Sequence, residues 1–92
     1  MYTPFPTKQY QKAFKKLKHS GKFNETELNS VINKLSSGEK LDQAYQDHGL
    51  QGEYEGFREC HIRGDILLIY KFEKQKLVLM LINIGNHSEL FG

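Results

Sequence analysis

Two amphipathic helical stretches, then three hairpin-linked strands, behind an extended start bracketed by prolines, predict an α+β protein of two layers. The predicted order is β-α-α-β-β-β, an antiparallel meander with a helical hairpin laid on one face. At 92 residues the chain has the length of one domain, so residues 1–92 are expected to form a single domain around one modest core.

Pro4 and Pro6 bracket Phe5. Proline disfavours a helix just before it and lacks an amide donor, so residues 2–5 read as a short edge strand. Thr7 can cap the helix that follows, in which Tyr10, Ala13, Phe14 and Leu17 recur as one apolar stripe. Gly21 supplies its left-handed stop. Asn24 and Glu27 have the spacing of an N-cap and its reciprocal partner, and Phe23 and Leu28 that of a hydrophobic staple. Leu28, Val31, Ile32 and Leu35 then repeat the stripe until Ser36-Ser37-Gly38 ends it. Residues 39–52 read as a loop, with Gly49 and Gly52 as breakers. From Tyr54 to Ile62 the pattern alternates. Tyr54, Arg58, Cys60 and Ile62 point one way; Glu55, Phe57, Glu59 and His61 point the other. Arg63-Gly64-Asp65 is a turn, and Ile66 to Tyr70 is apolar on both sides, as in a central strand. Glu73-Lys74-Gln75-Lys76 turns into a last strand over Leu77 to Ile84, which Gly85-Asn86-His87-Ser88 breaks. Glu89-Leu90-Phe91 reads as a final short turn.

Composition removes several function classes. One Cys excludes an internal disulfide framework and any Cys-rich zinc module, and it fits a reducing cytoplasm. No apolar run reaches 18 residues, so no membrane span is expected. The start lacks a basic stretch followed by an apolar block, so no secretory leader is expected. The net charge of +2 is unevenly laid out. Lys8, Lys12, Lys15, Lys16, Lys18 and Lys22 precede every acid; all 11 acids lie from Glu25 onward. Such asymmetry suits an anionic partner, nucleic acid or an acidic protein segment, and equally a solvated lysine face.

His48, His61 and His87 each fall at an element boundary, with Asp65 in the turn after His61 and Glu59 on the same strand side as His61. Adjacent strands bring their ends together, so these groups could gather at one end of the sheet. Histidine suits proton transfer near neutral pH. Each is also an ordinary surface residue type, so spacing alone leaves catalysis open. No H-E-x-x-H, histidine pair at i, i+4, Gly-rich phosphate loop or G-x-S-x-G is present, and no metal or cofactor is expected. Cys60 shares a side with Ile62 and reads as a small core residue. Glu53, Glu55 and Glu59 read as a solvated strand edge, and Tyr45 as a loop-closing aromatic.

Two stretches carry a resemblance. One is Asp47-His48-x-Leu50-x-Gly52-x-x-x-Gly56-x-Arg58-x-x-His61-Ile62-x-x-Asp65-x-Leu67-Leu68-Ile69-Tyr70-Lys71; the other is Gly85-x-His87-x-x-Leu90-Phe91. Together they resemble the YafQ-type toxins of the RelE/ParE superfamily, toxins of type II toxin–antitoxin modules, and the element order agrees with a RelE-like fold. The resemblance implies a cytoplasmic, ribosome-dependent endoribonuclease that cuts mRNA in the A site. It implies metal-independent attack by the ribose 2′-hydroxyl, and a cognate antitoxin as partner. Operator DNA would be met only through the antitoxin complex. His48, His61, Asp65 and His87 match the catalytic positions, Glu59 a position where relatives carry an acid, and Phe91 a terminal aromatic. His48 is implied as base, His87 as acid, and His61 with Asp65 as holding or neutralising the phosphate region. Lys8, Lys12, Lys15, Lys16 and Lys22 would meet rRNA phosphates. The chain departs at Asn83, where relatives commonly carry Arg, and at Ile66, where they commonly carry an aromatic. Asn donates a hydrogen bond but no charge, so Arg58, Arg63 or Lys71 would supply it. The alternatives are a gyrase-inhibiting toxin on the same scaffold, or a weakly active member that binds antitoxin and operator without cutting.

Overall fold

The computed structural model describes residues 1–21 and 23–91. Strands β1 (Thr3–Pro6), β2 (His48–Gly49), β3 (Arg58–Arg63), β4 (Ile66–Glu73) and β5 (Val78–Asn86) form one sheet in the order β1-β5-β4-β3-β2. Helices α1 (Lys8–His19) and α2 (Glu25–Ser36) lie between β1 and β2 in the chain, and α3 (His87–Phe91) closes it. Strands β3, β4 and β5 make the expected antiparallel meander. The edge strand β1 runs parallel to β5, from Thr3 opposite Val78 to Pro6 opposite Leu81. A parallel pair needs a long crossover, which the helical hairpin and the meander together supply.

Local chemistry starts the helices where the sequence places them. The Thr7 hydroxyl accepts from the Tyr10 amide at 3.1 Å and donates to the Leu81 carbonyl at 3.0 Å, so one cap both begins α1 and pins it to β5. Gly21, at φ +75°, follows α1 in the left-handed conformation that glycine adopts without strain. The Asn24 side chain accepts from the Glu27 amide at 3.0 Å. The Glu27 carboxylate accepts from the Tyr45 hydroxyl at 2.6 Å, tying the loop to α2.

The two sheet faces are unequal. On one, Tyr10 of α1 and Leu28, Val31 and Leu35 of α2 pack on Cys60, Ile62, Leu68, Tyr70, Leu79, Leu81 and Ile84. On the other, Leu67 and Ile69 are covered only by Leu90 of α3 with Leu50, Phe57, Ile82 and Phe91 around it. A bulge in β5 serves both. Ile69 pairs with Asn83 and Tyr70 with Leu81, leaving Ile82 as the extra residue. The parity of β5 therefore flips: Leu79 and Leu81 face the helices, and beyond the bulge Ile84 does. This accounts for a strand apolar on both parities.

Several boundaries differ from expectation: β1 spans Thr3–Pro6 rather than 2–5, and β5 runs through Gly85 to Asn86, with α3 starting at His87 instead of a break over 85–88. The strand expected from Tyr54 begins at Arg58, because Gly52–Tyr54 forms a 3-10 turn and Gly56 takes φ +92°. The loop over residues 39–52 holds a second 3-10 turn, Gln43–Tyr45, and the two-residue β2. The central strand runs on to Glu73. Leu77, expected in β5, is a half-exposed turn residue at φ +53°. Leu68 lies fully buried between the helices and the sheet. Leu68→Ala is expected to lower stability by about 2–5 kcal/mol at unchanged denaturant slope, read from urea unfolding.

Candidate active site

The thinly covered face carries the histidines. Cross-strand pairing sets His48 opposite Glu59, Glu59 opposite Ile69, and Ile69 opposite Asn83. One row further, His61 lies opposite Leu67 and Leu67 opposite Gly85. Directly paired residues share a face, so His48, Glu59 and His61 converge. The Nε2 atoms of His48 and His61 stand 3.5 and 3.9 Å from Glu59 Oε1. His48 Nδ1 lies 2.6 Å from the Gln46 carbonyl. A carbonyl only accepts, so Nδ1 carries the proton and the lone pair of the neutral ring sits on Nε2.

Glu59 is 5% exposed, which corrects the expectation of a solvated strand edge: β2 hydrogen-bonds beside it and closes off water. Its Oε2 has no hydrogen-bond partner among the described residues. A buried carboxylate without donors is costly unless a positive charge stands near. His48 and His61 are the groups beside it that can carry such a charge.

His87 stands apart from that pair and is tied to this face through Phe91. It begins α3, and its ring lies 5.1 Å from that of Phe91. Phe91 meets Tyr54 edge-on at 5.6 Å, and Tyr54 meets Phe57 at 6.3 Å. Lys71 Nζ stands 5.3 Å from the Phe57 ring centre and 3.5 Å from Glu73. This aromatic line joins His87 to the floor of Leu67 and Ile69 beside Glu59. The start of α3 is a reciprocal cap. The Asn86 amide donates to Glu89 Oε1 at 3.0 Å, and the Glu89 amide donates to Asn86 Oδ1 at 2.8 Å. These two residues were not among the sequence candidates, although Asn86 and Glu89 repeat the spacing of Asn24 and Glu27.

Other candidates sit elsewhere. Asp65 is exposed in the β3–β4 turn beside Gly64, facing a groove lined by Phe23, Asn24 and Arg63. Arg58 lies on the helix face. Its Nη2 is 3.3 Å from Asp47 Oδ2, and the Tyr70 hydroxyl donates to Asp47 Oδ1. The hydrogen bond to Tyr70 holds the guanidinium above its ordinary pKa while burial works against it. Burial pushes the Tyr70 phenol up, and its bond to Asp47 adds to the shift. Arg58 is thus a structural clamp, turned away from the histidines. The Asn83 carbonyl oxygen accepts from the next amide, that of Ile84, at 2.9 Å. Burial pushes the Cys60 thiol up to about 12, which keeps it protonated and inert. Lys8, Lys12, Lys15 and Lys16 are exposed along α1, and Lys22 lies outside the described residues. Among the described residues, no three His, Cys, Asp or Glu side chains are grouped to hold a metal ion.

Comparison with known proteins decides the family. Residues 2–92 match the model of the bacterial toxin of type II toxin–antitoxin systems, YafQ. The chain belongs to the YafQ family. A copper-bound mutant toxin from Helicobacter pylori has the same fold, with a TM-score of 0.90 and 42% identity over 99% of this chain and all of that one. The YafQ of the Escherichia coli DinJ–YafQ complex superposes with a TM-score of 0.84 at 28% identity, over the full length of both chains. The mRNA interferase toxin YafQ of Escherichia coli K12 is 40% identical over 52 residues, 56% of this chain and 54% of that one. The chain spans between about half and two thirds of the length of the curated YafQ relatives it matches.

Tyr70→Phe removes the donor that faces Asp47 deep in the helix-side core. It is expected to lower stability by about 1–2 kcal/mol in urea unfolding.

Proposed function

We propose that this YafQ-family chain is an mRNA interferase that cuts message in the ribosomal A site through metal-independent attack of a ribose 2′-hydroxyl on the adjacent phosphate. The observation that carries this is the buried Glu59 carboxylate held between the Nε2 atoms of His48 and His61. His48 presents the free lone pair of Nε2 and takes the 2′-hydroxyl proton as the new 2′-oxygen–phosphorus bond forms. The imidazolium that results faces the Glu59 charge. His87 gives a proton to the leaving 5′-oxygen as the old bond breaks. His61 neutralises the phosphorane alongside, while Asp65, facing the groove beside Phe23 and Asn24, is left out of the step. Phe91 backs His87 with its ring. Lys8, Lys12 and Lys15 of α1 add sequence-blind, salt-sensitive attraction to rRNA phosphates. The solved DinJ–YafQ complex of the Escherichia coli relative supports a cognate antitoxin as partner here.

A weakly cutting member is a second reading, favoured by Asn83, whose side chain is engaged with its own backbone and supplies no charge. Mapping message 5′-ends after brief induction separates the two: new ends inside translated messages are expected, and intact transcripts overturn the proposal. His87→Ala is expected to slow cleavage of ribosome-bound message by about 10²–10⁴-fold; a wild-type rate removes His87 from the acid role. Asn83→Arg, by adding a fork donor toward the phosphate, is expected to raise the rate, and an unchanged or lower one tells against this account of the site.

A further inference from the structure

Lys16 differs from Lys8, Lys12 and Lys15 of α1, and from Lys18, whose ion pair is to Glu25 at the start of α2. Its Nζ lies 3.3 Å from Glu89 Oε2, across a groove that Asn83 and Gly85 also line. The other oxygen of that carboxylate, Oε1, is the one that accepts from the Asn86 amide at 3.0 Å. Glu89 therefore uses one oxygen to cap α3 and the other to bind α1. The Asn86 backbone bond and then the Lys16 contact hold its carboxyl below its ordinary pKa, so both oxygens stay available as acceptors. Gly85 makes room for this: a Cβ there would stand 3.0 Å from Glu89 Oε1. Among the described residues, Lys8, Lys12 and Lys15 make no ion pair.

Helix α3 is five residues long, and His87 is its first. A single turn has no stability of its own, since nucleation is unfavourable and few bonds follow it. What fixes the orientation of His87 is therefore the packing of Leu90 and Phe91 at one end and the Asn86–Glu89 cap at the other. The ion pair to Lys16 is exposed and contributes little to global stability. Its effect is local: it fixes the direction from which Glu89 reaches Asn86.

We infer that Lys16, through Glu89 and the Asn86 cap, sets the position of the His87 imidazole, so that Lys16 is a positioning residue rather than one of the lysines that meet RNA. This rests on the proposed role of His87.

The test is single-turnover cleavage of message on programmed ribosomes, with toxin titrated at several salt concentrations, alongside amide hydrogen exchange of the isolated protein. Lys16→Ala is expected to lower the maximal rate by about three- to tenfold at unchanged half-saturating concentration and unchanged salt slope. Lys16→Arg is expected to restore it. Lys12→Ala, in contrast, should raise the half-saturating concentration and flatten the salt slope. Glu89→Gln keeps an oxygen for the Asn86 amide and should match Lys16→Ala, with no further loss when the two are combined. Glu89→Ala removes the cap as well and should cost about 10- to 100-fold. Exchange at the Asn86 and Glu89 amides should quicken in Lys16→Ala. A raised half-saturating concentration with an unchanged maximal rate would make Lys16 an RNA contact and overturn the inference, as would unchanged exchange at both amides. If the wild-type chain cuts nothing, the proposed function fails, and hydrogen exchange still decides whether Lys16 holds α3.

Discussion

A carboxylate buried on the thin side of a sheet must be compensated, and much of this molecule is arranged around that requirement at Glu59. Strand β2 and the residues around Leu67 and Ile69 exclude water from it. Neither imidazole beside it lies within an ordinary hydrogen-bond distance, at 3.5 and 3.9 Å, so neither is locked to it by a fixed bond.

Alternation along the strands makes a second framework on the opposite face. Asp47 precedes His48, Arg58 precedes Glu59, and Tyr70 follows Ile69. Asp47, Arg58 and Tyr70 bind one another on the helix side, and the residue beside each belongs to the histidine side. The first group thus clamps β2 against β3 and β4, and the clamp fixes the register that sets His48 opposite Glu59. Packing and chemistry are separated by face while remaining neighbours in sequence. The bulge at Ile82 does the same for β5, since without it Asn83 would face the helices.

What the sequence disclosed was mostly local. Thr7 and Asn24 cap where their types and spacing predict, both helical stripes face the sheet, and Cys60 is core. These features depend on neighbours within one turn or one strand. Strand β2 has two residues and no periodicity, so nothing in the sequence marks it. The burial of Glu59 depends on β2 and was hidden with it. Glu59 and His61 were legible as sharing a face, because alternation is local; His48 joins them only through a pairing 11 residues away, from His48 to Glu59. Gly52 and Gly56 cut short an alternation that looked continuous, and an apolar Leu77 in a left-handed turn resembled the first residue of a strand. The cap at Asn86 follows a familiar spacing but stands at the end of a strand, before a helix only five residues long.

The parallel pairing of β1 with β5 has a temporal consequence. Residues 3–6 must find residues 78–81, so β1 joins the sheet only after β5 has been made. Long-range pairing of this kind is slow relative to helix formation. The two helices can form early, while the outer edge of β5 stays unpaired until β1 docks against it.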